Sequence, residues 1–304
     1  MRLLELPPAR ITALRGTALR EAIAWSEGRV LAAEVVVTAP PLVDGVTNAE
    51  LVAAFGADLI LANVYDVDNP VIAGLPDPGQ LASAVDLPGA GPLAVLARLA
   101  GRAVGLNLEP SDRVPPGRRA TPENARRAVE QGAQWILLTG NPHTGVTTEG
   151  IERAAAAIRE ALGPEDVVLA AGRMHGAGAW RGETSFVDEA ALRRLVAAGV
   201  DIVALPAPST VPGVTVERAA AWVAAIHEAG ALAMSTIGTS QEGADEATIR
   251  QIALMAKACS FDLHHLGDAG YAGVAVPENV LAYSLVIRGR RHTYRRMALS
   301  PWRR

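Results

Sequence analysis

Hydrophobic and polar positions along the chain alternate between two textures. Short apolar runs rich in β-branched residues lead into polar loops with Gly and Pro, and these lead into stretches where apolar residues recur at helical spacing. The strand-like runs are Val35–Thr38, Leu59–Val64, Val104–Leu108, Trp135–Thr139, Val167–Ala171, Ile202–Leu205, Leu232–Thr236 and Leu263–Leu266. Helical spacing is read over Thr17–Glu27, Ala49–Phe55, Pro122–Gln131, Glu149–Leu162, Asp188–Ala198, Val216–Ala229, Ala244–Cys259 and Glu278–Ile287. Gly56, Gly101, Gly132, Gly199 and Gly230 stand between a helix and the next strand, where a left-handed C-cap is needed. Pro122 and Pro277 fall at first-turn positions.

Eight such units predict an α/β fold, a single (β/α)8 TIM-type barrel with an N-terminal helical preface and a basic C-terminal tail. An open doubly wound sheet is the competitor, and it normally has fewer strands or a second domain. The predicted division is a preface over 1–30, the barrel over 31–287 and an Arg-rich tail over 288–304. A short repeat precedes three even-numbered strands: Gly-Ala-Asp-Leu-Ile (56–60), Gly-Ala-Gln-Trp-Ile (132–136) and Gly-Val-Asp-Ile-Val (199–203). It suggests a (βα)2 unit used four times, although a shared helix-cap preference gives the same pattern.

Barrel chemistry sits where strands end and βα loops begin. In Val104-Gly-Leu-Asn-Leu-Glu109, Gly105, Asn107 and Glu109 share one face, which predicts that Asn107 and Glu109 project into the mouth. The same alternation predicts Asn63 and Tyr65 inward from strand two, Thr139 and Asn141 from strand four, and Arg173 and His175 from strand five. Glu109 and His175 are the expected proton carriers, and Arg173 the fork of donors for a carboxylate or phosphate. Asp66 and Asp68, two residues apart in the loop after strand two, either hold Mg2+ or make Asx-turns into Pro70. Loops seven and eight, with Gly238, Thr239, Ser240, Gly267 and Asp268, lie where barrels cradle phosphate, but Glu242, Asp245, Glu246 and Asp268 itself oppose an anion there. His264 and His265 are adjacent on strand eight. Alternation turns one inward as a candidate acid, base or ligand, and the other toward the helices.

Composition narrows these options. Lys257 is the only lysine among 28 basic residues and lies mid-helix, which disfavours Schiff-base chemistry and lysine-dependent phosphate transfer. The single cysteine, Cys259, excludes an intramolecular disulfide and multi-cysteine metal sites. Net charge is −4, yet Arg288 to Arg304 hold seven arginines and no acid, leaving 21 basic against 32 acidic residues elsewhere. An acidic body argues against a general nucleic-acid binder, and the tail is expected to act in structure or assembly, with contact to an anion as the alternative. No run approaches 18 uncharged apolar residues and Met1 to Arg10 lack a signal-peptide core, so a soluble, cytoplasmic protein is expected.

Several motifs together resemble a known group: residues 37–50 (Val-Thr-Ala-Pro-Pro-Leu-Val-Asp-Gly-Val-Thr-Asn-Ala-Glu), 63–70 (Asn-Val-Tyr-Asp-Val-Asp-Asn-Pro), 238–245 (Gly-Thr-Ser-Gln-Glu-Gly-Ala-Asp), 264–271 (His-His-Leu-Gly-Asp-Ala-Gly-Tyr) and 288–297 (Arg-Gly-Arg-Arg-His-Thr-Tyr-Arg-Arg-Met). They resemble, over nearly the whole chain, a bacterial family of unknown function labelled haloacid dehalogenase-like hydrolase or phosphoenolpyruvate phosphonomutase-like. The first label implies Asp-x-Asp after the first strand. Here Asp66-Val67-Asp68 follows the second, and Asn69-Pro70 replace the small hydrophobic residue and Thr. The second implies a barrel that stabilises an enolate with Mg2+ held by carboxylates, parts for Asp66, Asp68 and Glu109, although the lyase cysteine motif is absent.

The expectation is thus a barrel enzyme, with lyase or isomerase chemistry through an enolate on a small phosphorylated or carboxylated metabolite. Mg2+ is the one cofactor considered, and no nucleotide or organic cofactor is inferred. A phosphatase-like hydrolase using the same site and a non-catalytic metabolite sensor are the alternatives. The expected partners are an anionic small molecule and further copies of the chain in a homo-oligomer, with no membrane or nucleic acid.

Overall fold

A computed structural model describes residues 1–304 except 77–89, 141–143, 174–187, 239, 269, 271, 302 and 304. Eight parallel strands close into a barrel in sequence order. They are β1 (Val30–Val36), β2 (Leu59–Asn63), β3 (Ala103–Leu108) and β4 (Trp135–Leu138). β5 (Val168–Gly172), β6 (Ile202–Pro206), β7 (Leu232–Ile237) and β8 (Leu263–Leu266) complete the ring. Closure runs through the β1–β8 pair, with Val30 opposite Leu263 and Ala32 opposite His265. The predicted fold class is the observed one.

The outer layer comprises α3 (Asn48–Ala54), α4 (Pro92–Ala100), α5 (Pro122–Glu130) and α6 (Thr148–Ala161), then α7 (Glu189–Ala197), α8 (Val216–Glu228), α9 (Glu246–Ala258) and α10 (Pro277–Ala298). Before these come α1 (Pro8–Ile11) and α2 (Gly16–Ala24). The chain turns into its helices by local polar capping. Thr121, Thr147 and Thr215 each accept a main-chain N–H of the first turn, as do Asp188 and Asp245. Thr47 and Glu50 form a reciprocal capping box at α3.

Alternation along the strands divides the apolar residues into two cores. One set, including Leu31, Ile60, Leu106, Leu169 and Val203, faces the helices. The other, including Ala32, Leu61, Trp135, Leu137, Ala170 and Met234, fills the barrel, and Leu3, Leu6, Ile11, Leu19 and Ile23 of the N-terminal segment seal it from below. The Trp135 ring fits because β3 carries Gly105 beside it. A Cβ at Gly105 would lie 2.5 Å from the indole. With the lower interior filled, polar residues are left to the upper end.

The short repeat has a structural cause. The residue before each even-numbered strand accepts a main-chain N–H near the start of the preceding odd strand. Asp58 accepts from Leu31 at 2.9 Å, Gln134 from Val104 at 3.2 Å, Asp201 from Leu169 at 2.8 Å and Asp262 from Ala233 at 2.8 Å. The fourth unit was hidden in the sequence because Ser260, at φ 65°, stands where the other three have a left-handed glycine.

Four elements differ from the sequence reading. β1 starts at Val30 rather than Val35 and so includes Glu34. Neither α1 nor α4 was anticipated. α10 continues past Ile287 to Ala298, with its direction broken at Gly289 (φ 69°, ψ 174°), and it buries Arg288, Thr293 and Arg296. No helix among the described residues is long and apolar enough to cross a membrane.

Candidate active site

At the upper end of the barrel, four elements converge on the β1–β8 seam. β1 contributes Glu34, at the interior parity of Val30 and Ala32. β2 ends in Asn63, whose Nδ2 donates to Glu34 Oε1 and, at 3.1 Å, to Asp268 Oδ2 in the loop after β8. β8 turns His265 inward, fully buried, with Nε2 3.2 Å from Glu34 Oε2. The turn after β7, Gln241–Gly243, brings in Glu242, and Asn279 at the start of α10 anchors that turn by donating to the Glu242 and Ala244 carbonyls.

These groups are held without being satisfied. Neither ring nitrogen of His265 has a hydrogen-bond partner among the described residues, and neither has Glu242 Oε2. Burial pushes the Glu242 carboxyl above the usual range, and the charges of Asp268 and Glu34 push it further while His265 opposes them. Val64, directly after Asn63, sits at φ 64°, a costly conformation for a β-branched residue, and Ser240 at φ 73° enters the Glu242 turn. Orphaned polar atoms, like charges and backbone strain gathered at one barrel end are the physical marks of a functional site.

Several sequence-predicted residues take other places. Of the histidine pair, His264 faces the helices: its Nδ1 lies 2.8 Å from Ser235 Oγ and 2.9 Å from Tyr283 OH, and its Nε2 lies 3.2 Å from the Gly28 carbonyl. Burial lowers its pKa to about 4, so it is a neutral structural group rather than a proton carrier at the mouth. Tyr65 is also turned outward. Its hydroxyl donates to Gln131 Oε1 at 2.7 Å, and burial raises its pKa. The inward set of β5 is Val168 and Ala170, which puts Arg173 on the opposite parity, in a cavity of about 120 Å3 among Glu149, Asp188 and Arg194. His175, Asn141 and Thr239 lie outside the described residues.

Asn107 does face the barrel, with its Oδ1 buried and without a hydrogen-bond partner, and Thr139 follows β4 at interior parity. Glu109 reaches the mouth but is engaged on both oxygens. Arg118 Nη2 donates to Oε1 at 3.0 Å and Thr144 Oγ1 to Oε2 at 3.1 Å. Loops seven and eight make a poor anion cradle. The Gly267 N–H donates to the Ile237 carbonyl at 3.1 Å, Glu242 lies against Gly267, and the charge of Asp268 acts on Glu242.

The residues expected to hold Mg2+ do not fit the ion. Asp66 Oδ1 accepts the main-chain N–H of Asp68 at 2.9 Å in an Asx-turn, and Asp68 is paired with Arg127. Among the described residues, no group of three or more His, Cys, Asp or Glu side chains is arranged to hold a metal. Sequence reasoning passed over Glu34 and treated Glu242 only as an electrostatic obstacle. The available signal was that Glu34 is the single charge within Val30–Val36.

Eight parallel strands closed into a ring, with Glu34, Asn63, Asn107 and His265 facing inward at the carboxyl end, define a (β/α)8 barrel with its candidate site at the mouth. The chain belongs to the DUF7916 family, a domain of unknown function, whose model matches residues 4–303. No curated protein matches the sequence. The fold is similar to that of a Burkholderia cenocepacia J2315 protein described as a lyase/mutase, at 20% identity over 86% of this chain and 83% of that one, with a TM-score of 0.51. It is also similar to the YdjI aldolase of Escherichia coli K12, at 12% identity over 89% and 95% of the two chains, again with a TM-score of 0.51. At such identities the likeness concerns the barrel. The haloacid dehalogenase label has no support, since its Asp-x-Asp look-alike is a turn after β2.

Proposed function

We propose that the chain is an enzyme of lyase or isomerase type that moves a proton on a small polar metabolite at the barrel mouth. The observation that carries this reading is the buried imidazole of His265 set 3.2 Å from Glu34, with the protonation-prone carboxyl of Glu242 beside them. An imidazole against a carboxylate takes a proton, and a carboxyl held above its usual pKa returns one. His265 is the base, Glu34 orients it and steadies its charged form, and Glu242 is the acid.

The distribution of charge constrains how a substrate lies. Glu34, Glu242 and Asp268 occupy the β1, β7 and β8 side and accept hydrogen bonds from substrate hydroxyl or amino groups. An anionic group is repelled from that side and directed toward β3, where Arg118 lies beside Glu109. This keeps a carboxylated or phosphorylated substrate in view but moves its anionic end away from loops seven and eight. The barrels described as a lyase/mutase and an aldolase are compatible with such chemistry.

The test is solvent exchange at carbon. The protein is incubated in D2O with a panel of small hydroxy acids, keto acids and their phosphorylated counterparts, and loss of C–H signal is followed by NMR. Exchange on one class, reduced at least about 100-fold in His265→Ala, is expected. Exchange that survives both His265→Ala and Glu34→Gln would overturn the assignment.

A further inference from the structure

A second unsatisfied cluster lies at the opposite, lower end of the barrel, where the sequence showed only an arginine-rich tail. Asp58 precedes β2, Arg102 leads into β3, and Arg288 and Arg296 come from α10 on either side of its break at Gly289. All four are buried, none more than 6% exposed. Arg288 is paired with Asp58, and Arg296 Nε lies 2.7 Å from Asp58 Oδ1. The hydrogen bonds of Arg102 go to carbonyls instead, those of Ala53, Ala57, Gly101 and Arg296. One carboxylate therefore stands against three guanidinium groups.

Carbonyl dipoles at the end of α3 offset part of that surplus. They do not reach all of it. Arg288 Nε and Arg296 Nη1 are buried donors without an acceptor among the described residues. Unpaired buried charge and unmet donors are both costly, and here they occur together. Beside the cluster, a groove of about 440 Å3 lined by Glu50, Arg102, Met297 and Pro301 opens to solvent at Arg102.

We infer that this cluster binds a small monovalent anion of halide size, which accepts from Arg288 Nε and Arg296 Nη1 and locks α10 against α3 and the N-terminal segment. Two free donors suit a single spherical acceptor. A phosphate brings more oxygens than the remaining donors can meet. Burial and then the charge of Arg296 push the pKa of Arg102 down to about 9. The site is independent of the chemistry at the mouth.

The experiment is thermal melting of the whole chain at fixed ionic strength, with chloride replaced stepwise by gluconate. Wild type is expected to melt higher in chloride, with a saturable rise of about 2–4 °C at roughly 100 times the dissociation constant, and Arg296→Gln is expected to lose that rise. Equal melting in the two salts, as when water fills the site, overturns the inference, and so does a rise retained in Arg296→Gln. Should the variant not fold, bromide-soaked crystals of wild type decide. Anomalous density within hydrogen-bond distance of Arg288 Nε and Arg296 Nη1 supports the site, and its absence there refutes it.

Discussion

Glu34 Oε2 lies 3.2 Å from His265 Nε2 across the seam that closes the barrel. The pair has Asp268 and Glu242 for neighbours, so Glu34 is one of three carboxylates gathered at this end of the barrel. Glu34→Gln keeps the shape and removes one of three clustered carboxylates. It is expected to melt at or above the wild-type temperature while losing about 100-fold or more of the exchange activity. Melting curves and the D2O assay on the same preparation check both halves. A variant that loses stability and activity together would make Glu34 a structural acid.

Glu242 gives a prediction about pH. Its pKa is raised in the folded state, first by burial. The folded protein therefore holds this proton more tightly than the unfolded chain, and stability falls as pH rises above the ordinary carboxyl value of 4.5. Glu242→Gln should stabilise the protein at neutral pH, with the gain shrinking as pH falls toward 4.5 and below. Urea midpoints measured between pH 4 and 8 test the slope.

His264 acts in the opposite direction. Burial lowers its pKa from 6.5 to about 4, so the unfolded chain binds the proton first. Stability is lost as pH falls from about 6.5 to about 4 and is fully present above 6.5. Replacing His264 by Gln keeps polar contact with Ser235 and Tyr283 and removes the titration. The acid side of the stability profile should flatten in His264→Gln, whereas a profile parallel to wild type would contradict the assignment.

Gly105 tests the packing beneath the site. A Cβ there would lie 2.3 Å from the Trp135 carbonyl and 2.5 Å from its ring. Gly105→Ala should cost about 1–3 kcal/mol through overpacking, read as a lower urea midpoint. Gly105→Ala combined with Trp135→Phe should recover part of the loss, because the smaller ring vacates the space.

Much of this architecture was legible from pattern, and the failures have identifiable physical causes. Strand positions came from apolar runs bounded by glycine and threonine, which mark the ends of βα units. β1 was placed late because Val30-Leu-Ala-Ala-Glu34 has modest β-propensity. Its small interior residue, Ala32, is what a crowded barrel requires. Arg173 was assigned the wrong face because Val167-Val-Leu-Ala-Ala171 contains no polar residue to set the phase of alternation. Tyr65 failed for another reason. Val64 adopts φ 64°, so alternation stops at Asn63 and everything beyond it is turned. Asn107 follows from alternation alone, whereas alternation turns one of His264 and His265 inward without deciding which. Nor does the Glu34–His265 contact follow from it, since it depends on the register between β1 and β8, which are separated by nearly the whole sequence.

The lower cluster also bears on synthesis. Arg296 donates to the Leu3 carbonyl at 2.8 Å across 293 residues, and Arg295 donates to that of Glu5. During translation the segment that corks the barrel emerges before the strands and waits for α10 before either is held. Until then Leu3, Ile11 and Ile23 have no closed ring to enter, and the apolar floor is exposed to other nascent chains. Folding of this barrel is therefore timed from its far end, and a break in α10 would be felt first as aggregation rather than as lost catalysis.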